Sequence, residues 1–234
     1  MNPRSNQLLE QLIDTEYQWL HRDLHLVSLQ VGQNLFTPGG RIDQAYFPAN
    51  ALIAIANQMP DGLSMDMAVV GPEAAIGLRG LFDNTCPYRV HVAQSGLAYR
   101  IALSKLRPFL EAGACWLHRM YVQTNHRILA QIATETTCAH FHCVTERLAR
   151  WLLLRTELAG QPGLEATHQS IADSLGIRRE AVTHALVKMP GVSCCRSRIE
   201  ISDRPSLEQV ACDCYRQIST TSTPELSLPL RQLA

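Results

Sequence analysis

The sequence predicts an α+β chain in three parts: an N-terminal antiparallel β-roll, one long helix, and a C-terminal set of short helices closed by a hairpin. Three observations carry this. Short β-rich runs alternate with turn signals at intervals of roughly ten residues through about Leu103, the rhythm of a small antiparallel roll. No proline interrupts Cys115 to Cys143. Finally, "HQSIADSLGIRREAVTHAL" (His168–Leu186) sets one amphipathic run, a glycine turn and a second amphipathic run end to end.

Taken in chain order, Leu9, Ile13, Tyr17 and Leu20 share one stripe of an opening helix between Asn6 and Leu20. From about His25 the period changes to that of strands. The turn signals are Val31-Gly32-Gln33, Thr37-Pro38-Gly39-Gly40, Pro60-Asp61-Gly62 and Gly71-Pro72. "YRVHVAQSGLAYRIAL" adds two further strands, and a roll domain of residues 1–111 results.

The long helix occupies residues 112–143. Tyr121, Ile128 and Glu135 repeat at seven, as do Asn125 and Ile132, which predicts a dimer seam on Tyr121, Asn125, Ile128 and Ile132. A helix of this length needs a partner for its stripe; packing on its own domain is the alternative. "VTERLARWLLLRTEL" then starts a new helix with Thr145 as N-cap, opening a domain of residues 144–218. The Ser/Thr/Pro-rich residues 219–234 read as a flexible tail.

Within the C-terminal domain, Ala172, Gly176 and Val182 have the spacing of a helix-turn-helix. Alanine permits close helix approach, glycine takes the left-handed turn at no Cβ cost, and Val182 ties the second helix to the first. Ile171, Leu175, Ile177, Ala185 and Leu186 fill the same core, with Thr167 capping the first helix. Arg178, Arg179, Glu180, Thr183 and His184 must then face outward, because 179/183 and 180/184 are i,i+4 pairs. An outward face at a helix N-terminus is what a major-groove reader presents. Arginine suits guanine O6 and N7, and glutamate can accept from cytosine N4. "GVSCCRSRIEIS" reads as two strands forming a wing around Arg196-Ser197-Arg198. The stretch from Gly176 to Arg198 holds five positive residues, Lys188 among them, against the single Glu180, in a chain of zero formal net charge. Thr167, His168 and Gln169, at the start of the first helix, complete the expected DNA-contact set.

The order of parts resembles the Crp/Fnr family of bacterial transcription regulators, over about residues 6–218. The segments carrying the resemblance are "HQSIADSLGIRREAVTHAL", "VTERLARWLL", "AYFPANALIAI", "VVGPEAAIGL" and "IEISDRPSLEQVACDCYR". The resemblance implies a cyclic-nucleotide-binding-like jelly roll, a dimerising helix and a winged helix-turn-helix. It also implies a homodimer on a palindromic double-stranded DNA operator, RNA polymerase as a further partner, and a small-molecule effector in the roll. Arg179, Glu180 and His184 fall on the family's base-reading positions, His184 standing where arginine is usual. In the roll, cyclic-nucleotide binders carry a Gly-Glu pair and then an arginine. Here the pair is Gly77-Leu78, with Arg89 near the arginine position, so the effector expected is unknown and not cyclic AMP.

Several functions are not expected. The opening residues carry no signal-peptide pattern and no apolar run is long enough to span a membrane, which points to the cytoplasm. Hydrolase, kinase and dinucleotide fingerprints are absent, so no enzyme is expected. The first cysteine is Cys86, which excludes the family's N-terminal iron–sulfur cluster. "CAHFHC" pairs Cys138 with His142 and His140 with Cys143 on helix faces, a possible metal site across a dimer seam. Cys194-Cys195 and Cys212/Cys214 suggest a thiol switch. Small, packed cysteines are the simpler reading of both, and no metal or cofactor is assigned. A sensor module that binds ligand or metal, with non-specific or architectural DNA binding, is the alternative function.

Overall fold

The computed structural model describes residues 2–59 and 63–221; the expected turn at Pro60-Asp61-Gly62 and residues 222–234 lie outside them. The opening helix is two helices, α1 (Gln7–Glu10) and α2 (Asp14–His21). Asn6 caps the first, accepting from the Leu8 and Leu9 N–H groups. Ile13 is extended, and Glu16 reaches back to its N–H, so the predicted continuous stripe is broken there.

Among the described residues, seven strands build the roll: β1 (His25–Leu29), β2 (Asn34–Phe36), β3 (Gln44–Pro48), β4 (Leu52–Gln58), β5 (Ser64–Val70), β6 (Arg89–Gln94) and β7 (Gly96–Ala102). They form two antiparallel sheets, in the orders β1-β7-β3 and β2-β6-β4-β5. Gly77 shows why the roll closes where it does. Its φ is +96°, and a Cβ there would sit 2.1 Å from the Gln44 carbonyl oxygen on β3, so only glycine permits this approach.

Helix α3 (Leu103–Glu111), not foreseen as a separate element, leads into α4 (Cys115–Phe141). Trp116, Leu117 and Met120 bury the first turns of α4 in the roll's core. Farther along, Gln131 clamps α4 to β5, accepting from the Val69 N–H and donating to the Val69 carbonyl. Among the described residues, no helix is long and apolar enough to cross a membrane.

The chain then enters α5 (Val144–Ala159), whose N-cap is Cys143 rather than Thr145, because Glu146 accepts the Cys143 N–H at 2.8 Å. After β8 (Gly163–Glu165) come α6 (His168–Leu175), α7 (Arg179–Val187), β9 (Val192–Cys195), β10 (Arg198–Ile201), α8 (Arg204–Val210) and α9 (Cys214–Thr221). The sheet order β8-β10-β9 completes the winged domain. Residues 219–221, expected as the start of a tail, end α9 instead. The core of this domain takes in Leu52 and Val69 of the roll, so the two cores meet across β4 and β5.

Candidate nucleic-acid interface

The helix-turn-helix is assembled as the spacing predicts. Ala172 and Val182 are buried against each other's helices, and Gly176 ends α6 at φ +63°. Arg147, buried on α5, donates to the Leu175 carbonyl at 2.7 Å, placing a cation on the open C-terminus of α6. Thr167 caps α6, accepting from the Ser170 N–H.

With this core closed, Arg178, Arg179, Glu180, His184 and Lys188 are all exposed. Thr183 is half-buried. Its hydroxyl donates to the Arg179 carbonyl and lies 2.9 Å from His168 Nδ1, so these two residues tie α6 to α7 as well as facing outward. Gln169 is exposed and donates to Asp173. On the wing, Arg196 and Ser197 have φ of +45° and +67°, the two left-handed centres of a tight hairpin turn. Arg196 is exposed at the tip, and Arg198 is held by Glu200 at 2.9 Å. Arg178, Arg179, Lys188 and Arg196 form no ion pair among the described residues, which leaves a concentrated positive face.

The roll arranges its candidate residues differently from the expectation. Gly77 and Leu78 line a cavity of about 90 Å³ with Phe36, Ile55, Tyr121 and Ile128. Arg89 does not join them. Successive strand residues point to opposite faces, so Val90 lines this cavity while Arg89 and His91 face the cleft toward the winged domain. There Arg89 donates to Asn34 Oδ1. The expected seam also divides. Tyr121 and Ile128 pack against the roll, Asn125 is exposed and donates to the Tyr121 carbonyl, and Ile132 is half-buried. The exposed large apolar residues of α4 are instead Val122 and Leu129, one position on, and Phe141 at the helix end.

Sequence reasoning missed the latch between domains. Asp66 of β5 accepts from Arg155 of α5 and from Ser174 of α6, each at 2.6 Å, and lies 3.6 Å from His91 Nε2. Trp151 donates to Ser174 and lies under the Arg155 guanidinium. Burial lowers the His91 pKa, opposed by Asp66 and reinforced by the charges of Arg89 and Arg155. No local period announces contacts between residues so far apart in the chain.

The proposed thiol switch between wing and last helix is not formed. Cys194 and Cys195 are exposed on β9, whereas Cys212 and Cys214 are buried with Cys138 at the far end of α4. A hydrogen bond from Cys212 chiefly, and then the charge of Arg150, hold the Cys138 thiol down to about 5 against the effect of burial.

Residues 146–210 match the Crp-like helix-turn-helix domain. No curated protein sequence matches the chain. Among solved structures, a Crp/Fnr-family transcriptional regulator assigned in Eubacterium rectale is similar at 15% identity and a TM-score of 0.68, over 88% of this chain and 98% of that one. FixK2 of Bradyrhizobium japonicum is similar at 15% identity and 0.67, over 81% and 98%. The c-di-GMP-responsive regulator CLP of Xanthomonas campestris is similar at 17% identity and 0.63, over 82% and 100%. At these identities the likeness is one of fold, and the matched domain adds its own sequence signature. The chain thus carries a Crp-like helix-turn-helix domain at residues 146–210, joined by one long helix to an N-terminal β-roll, and its fold is similar to that of a solved Crp/Fnr-family structure.

Proposed function

We propose that this chain is a sequence-specific DNA-binding transcription regulator that acts as a homodimer on an inverted repeat. One observation carries the reading: Arg178, Arg179, Glu180 and His184 are all exposed on the outer face at the start of α7. Entering a major groove, Arg179 donates to a guanine edge, Glu180 accepts from cytosine, and His184 offers one hydrogen bond. Thr167, His168, Gln169, Thr183, Lys188, Arg196 and Arg198 lie around this face and contact the phosphates, which position the domain without specifying sequence.

The dimer forms along α4 on the stripe of Val122, Leu129 and Ala133, with Asn125 at its border. This sets the two recognition helices in successive grooves about 34 Å apart. RNA polymerase meets the DNA-bound dimer, in the cytoplasm. The roll cavity of about 90 Å³ mixes apolar side chains with Arg79, Thr124 and Asn125 and has no carboxylate in its lining beside Gly77, so the signal it senses is not cyclic AMP.

Selection of bound duplexes from a random pool, with purified protein under reducing conditions, tests this reading. An inverted repeat with half-sites one helical turn apart is the expected product. Arg179→Ala and Glu180→Ala should each relax one base preference by about 1–3 kcal/mol. Salt-sensitive binding with no enriched sequence, or unchanged site choice in both variants, would overturn sequence-specific readout by α7 and leave an architectural role.

A further inference from the structure

The chain folds four soft ligands from distant segments into one point. Cys138 and His142 lie one turn apart at the end of α4; Cys212 and Cys214 come from the turn that opens α9. Their ligating atoms all lie within 4.8 Å of one another. Cys138 Sγ is 3.5 Å from Cys212 Sγ, and Cys214 Sγ is 3.6 Å from His142 Nδ1. The three cysteines are buried and His142 is half-buried.

These separations decide among the occupants. Zinc bonds of about 2.3 Å to sulfur and about 2.0–2.1 Å to nitrogen, at tetrahedral angles, set the ligand atoms roughly 3.5–3.8 Å apart. An iron–sulfur cluster spreads its cysteine sulfurs over several metal atoms and needs a wider cage. Three thiolates and one imidazole leave a zinc site with one net negative charge. Arg150, although paired with Glu135, favours the thiolate form of the nearby cysteines. Its guanidinium is fully buried, is held by both Glu135 oxygens, and acts electrostatically on the Cys138 and Cys212 sulfurs. Arg150 Nε is buried without a hydrogen-bond partner, a donor such a site can use.

We propose that Cys138, His142, Cys212 and Cys214 bind one zinc ion as a closed structural site, which fastens the last helix of the winged domain to the end of the long helix. With four protein ligands there is no open position for catalysis. Cysteine protons leave to solvent as the metal–sulfur bonds form, with no change of oxidation state. The ion stands at the junction that orients the winged domain on α4, and its presence does not depend on what that domain binds. The sequence offers Cys138 with His142 as metal ligands across a dimer seam; that they join Cys212 and Cys214 of the same chain is decided by the fold.

Full-length protein purified under thiol reductant without chelator should carry about one zinc per chain by elemental mass spectrometry. Cobalt replacement should give thiolate-to-cobalt charge transfer and the intense visible bands of a tetrahedral site. Cys212→Ser/Cys214→Ser should lose the metal; Cys194→Ser/Cys195→Ser should keep it. Should the first variant fail to fold, stripping wild-type protein with a chelator provides an independent readout. Amides of α9 should then exchange at least about tenfold faster, and those of β3 and β7 should not change. A metal content near zero with no thiolate–cobalt band would overturn the proposal. So would bound iron with sulfide, zinc retained without Cys212 and Cys214, or a Cys138–Cys212 disulfide in place of metal under reductant.

Discussion

Replacing Asp66 by alanine should unlatch the roll from the winged domain at a cost worked from the site itself. The variant leaves the Arg155 guanidinium, 5% exposed, without a carboxylate. Orphaning one member of a buried ion pair typically costs about 3–5 kcal/mol. Arg155 keeps Trp151 beneath it, with the ring centroid 4.4 Å away, and such a contact contributes about 1–2 kcal/mol when desolvated. The expected loss is therefore near the lower end, about 3 kcal/mol, a large share of the roughly 5–15 kcal/mol typical of a folded protein. Urea unfolding followed by tryptophan fluorescence should show a lower midpoint at an unchanged slope. The second step separates the mechanism from general damage. In Asp66→Ala/Arg155→Met the stranded charge is gone, so the double variant should be more stable than Asp66→Ala alone by about 1–2 kcal/mol. If Asp66→Ala costs less than about 1 kcal/mol, or if Arg155→Met makes it worse, the latch does not work through that buried charge pair.

His91 should make the same junction sensitive to acid. Its folded pKa lies below the ordinary histidine value of about 6.5, so the folded state binds fewer protons. Its contribution is fully present above that value and is lost as pH falls from about 6.5 toward the folded pKa; in His91→Gln, stability measured against pH should flatten in that window. Leu129, 67% exposed on α4, should carry the dimer: Leu129→Arg should sediment as a monomer with its circular dichroism unchanged, and a persisting dimer would place the interface elsewhere. Gly77→Ala meets both the Gln44 carbonyl and a positive φ, and should lower stability by roughly 2–5 kcal/mol in thermal unfolding. A loss below about 1 kcal/mol would mean that β3 can move aside.

What the sequence determined by itself was local. Ala172, Gly176 and Val182 lie within eleven residues, and helical periodicity alone forces Arg178, Arg179, Glu180 and His184 outward once that small core is closed. The strands around Arg196 and Ser197 follow equally from a hairpin and its turn, and the long helix from an uninterrupted run. Tertiary structure decided which face each element turns to the rest of the molecule. The repeat at seven in α4 was real, yet the roll claimed Tyr121 and Ile128 and left Val122 and Leu129 outside. Arg89 left the roll cavity because strand alternation gives that side to Val90, a choice set by the pairing of β6 with β2 and β4. Asp66 meets Arg155 across 89 residues, and Cys138 meets Cys212 across 74. Contacts that distant leave no period in the chain. They arise where folded surfaces meet, and in this protein those meetings hold the winged domain to the roll and the last helix to the long one.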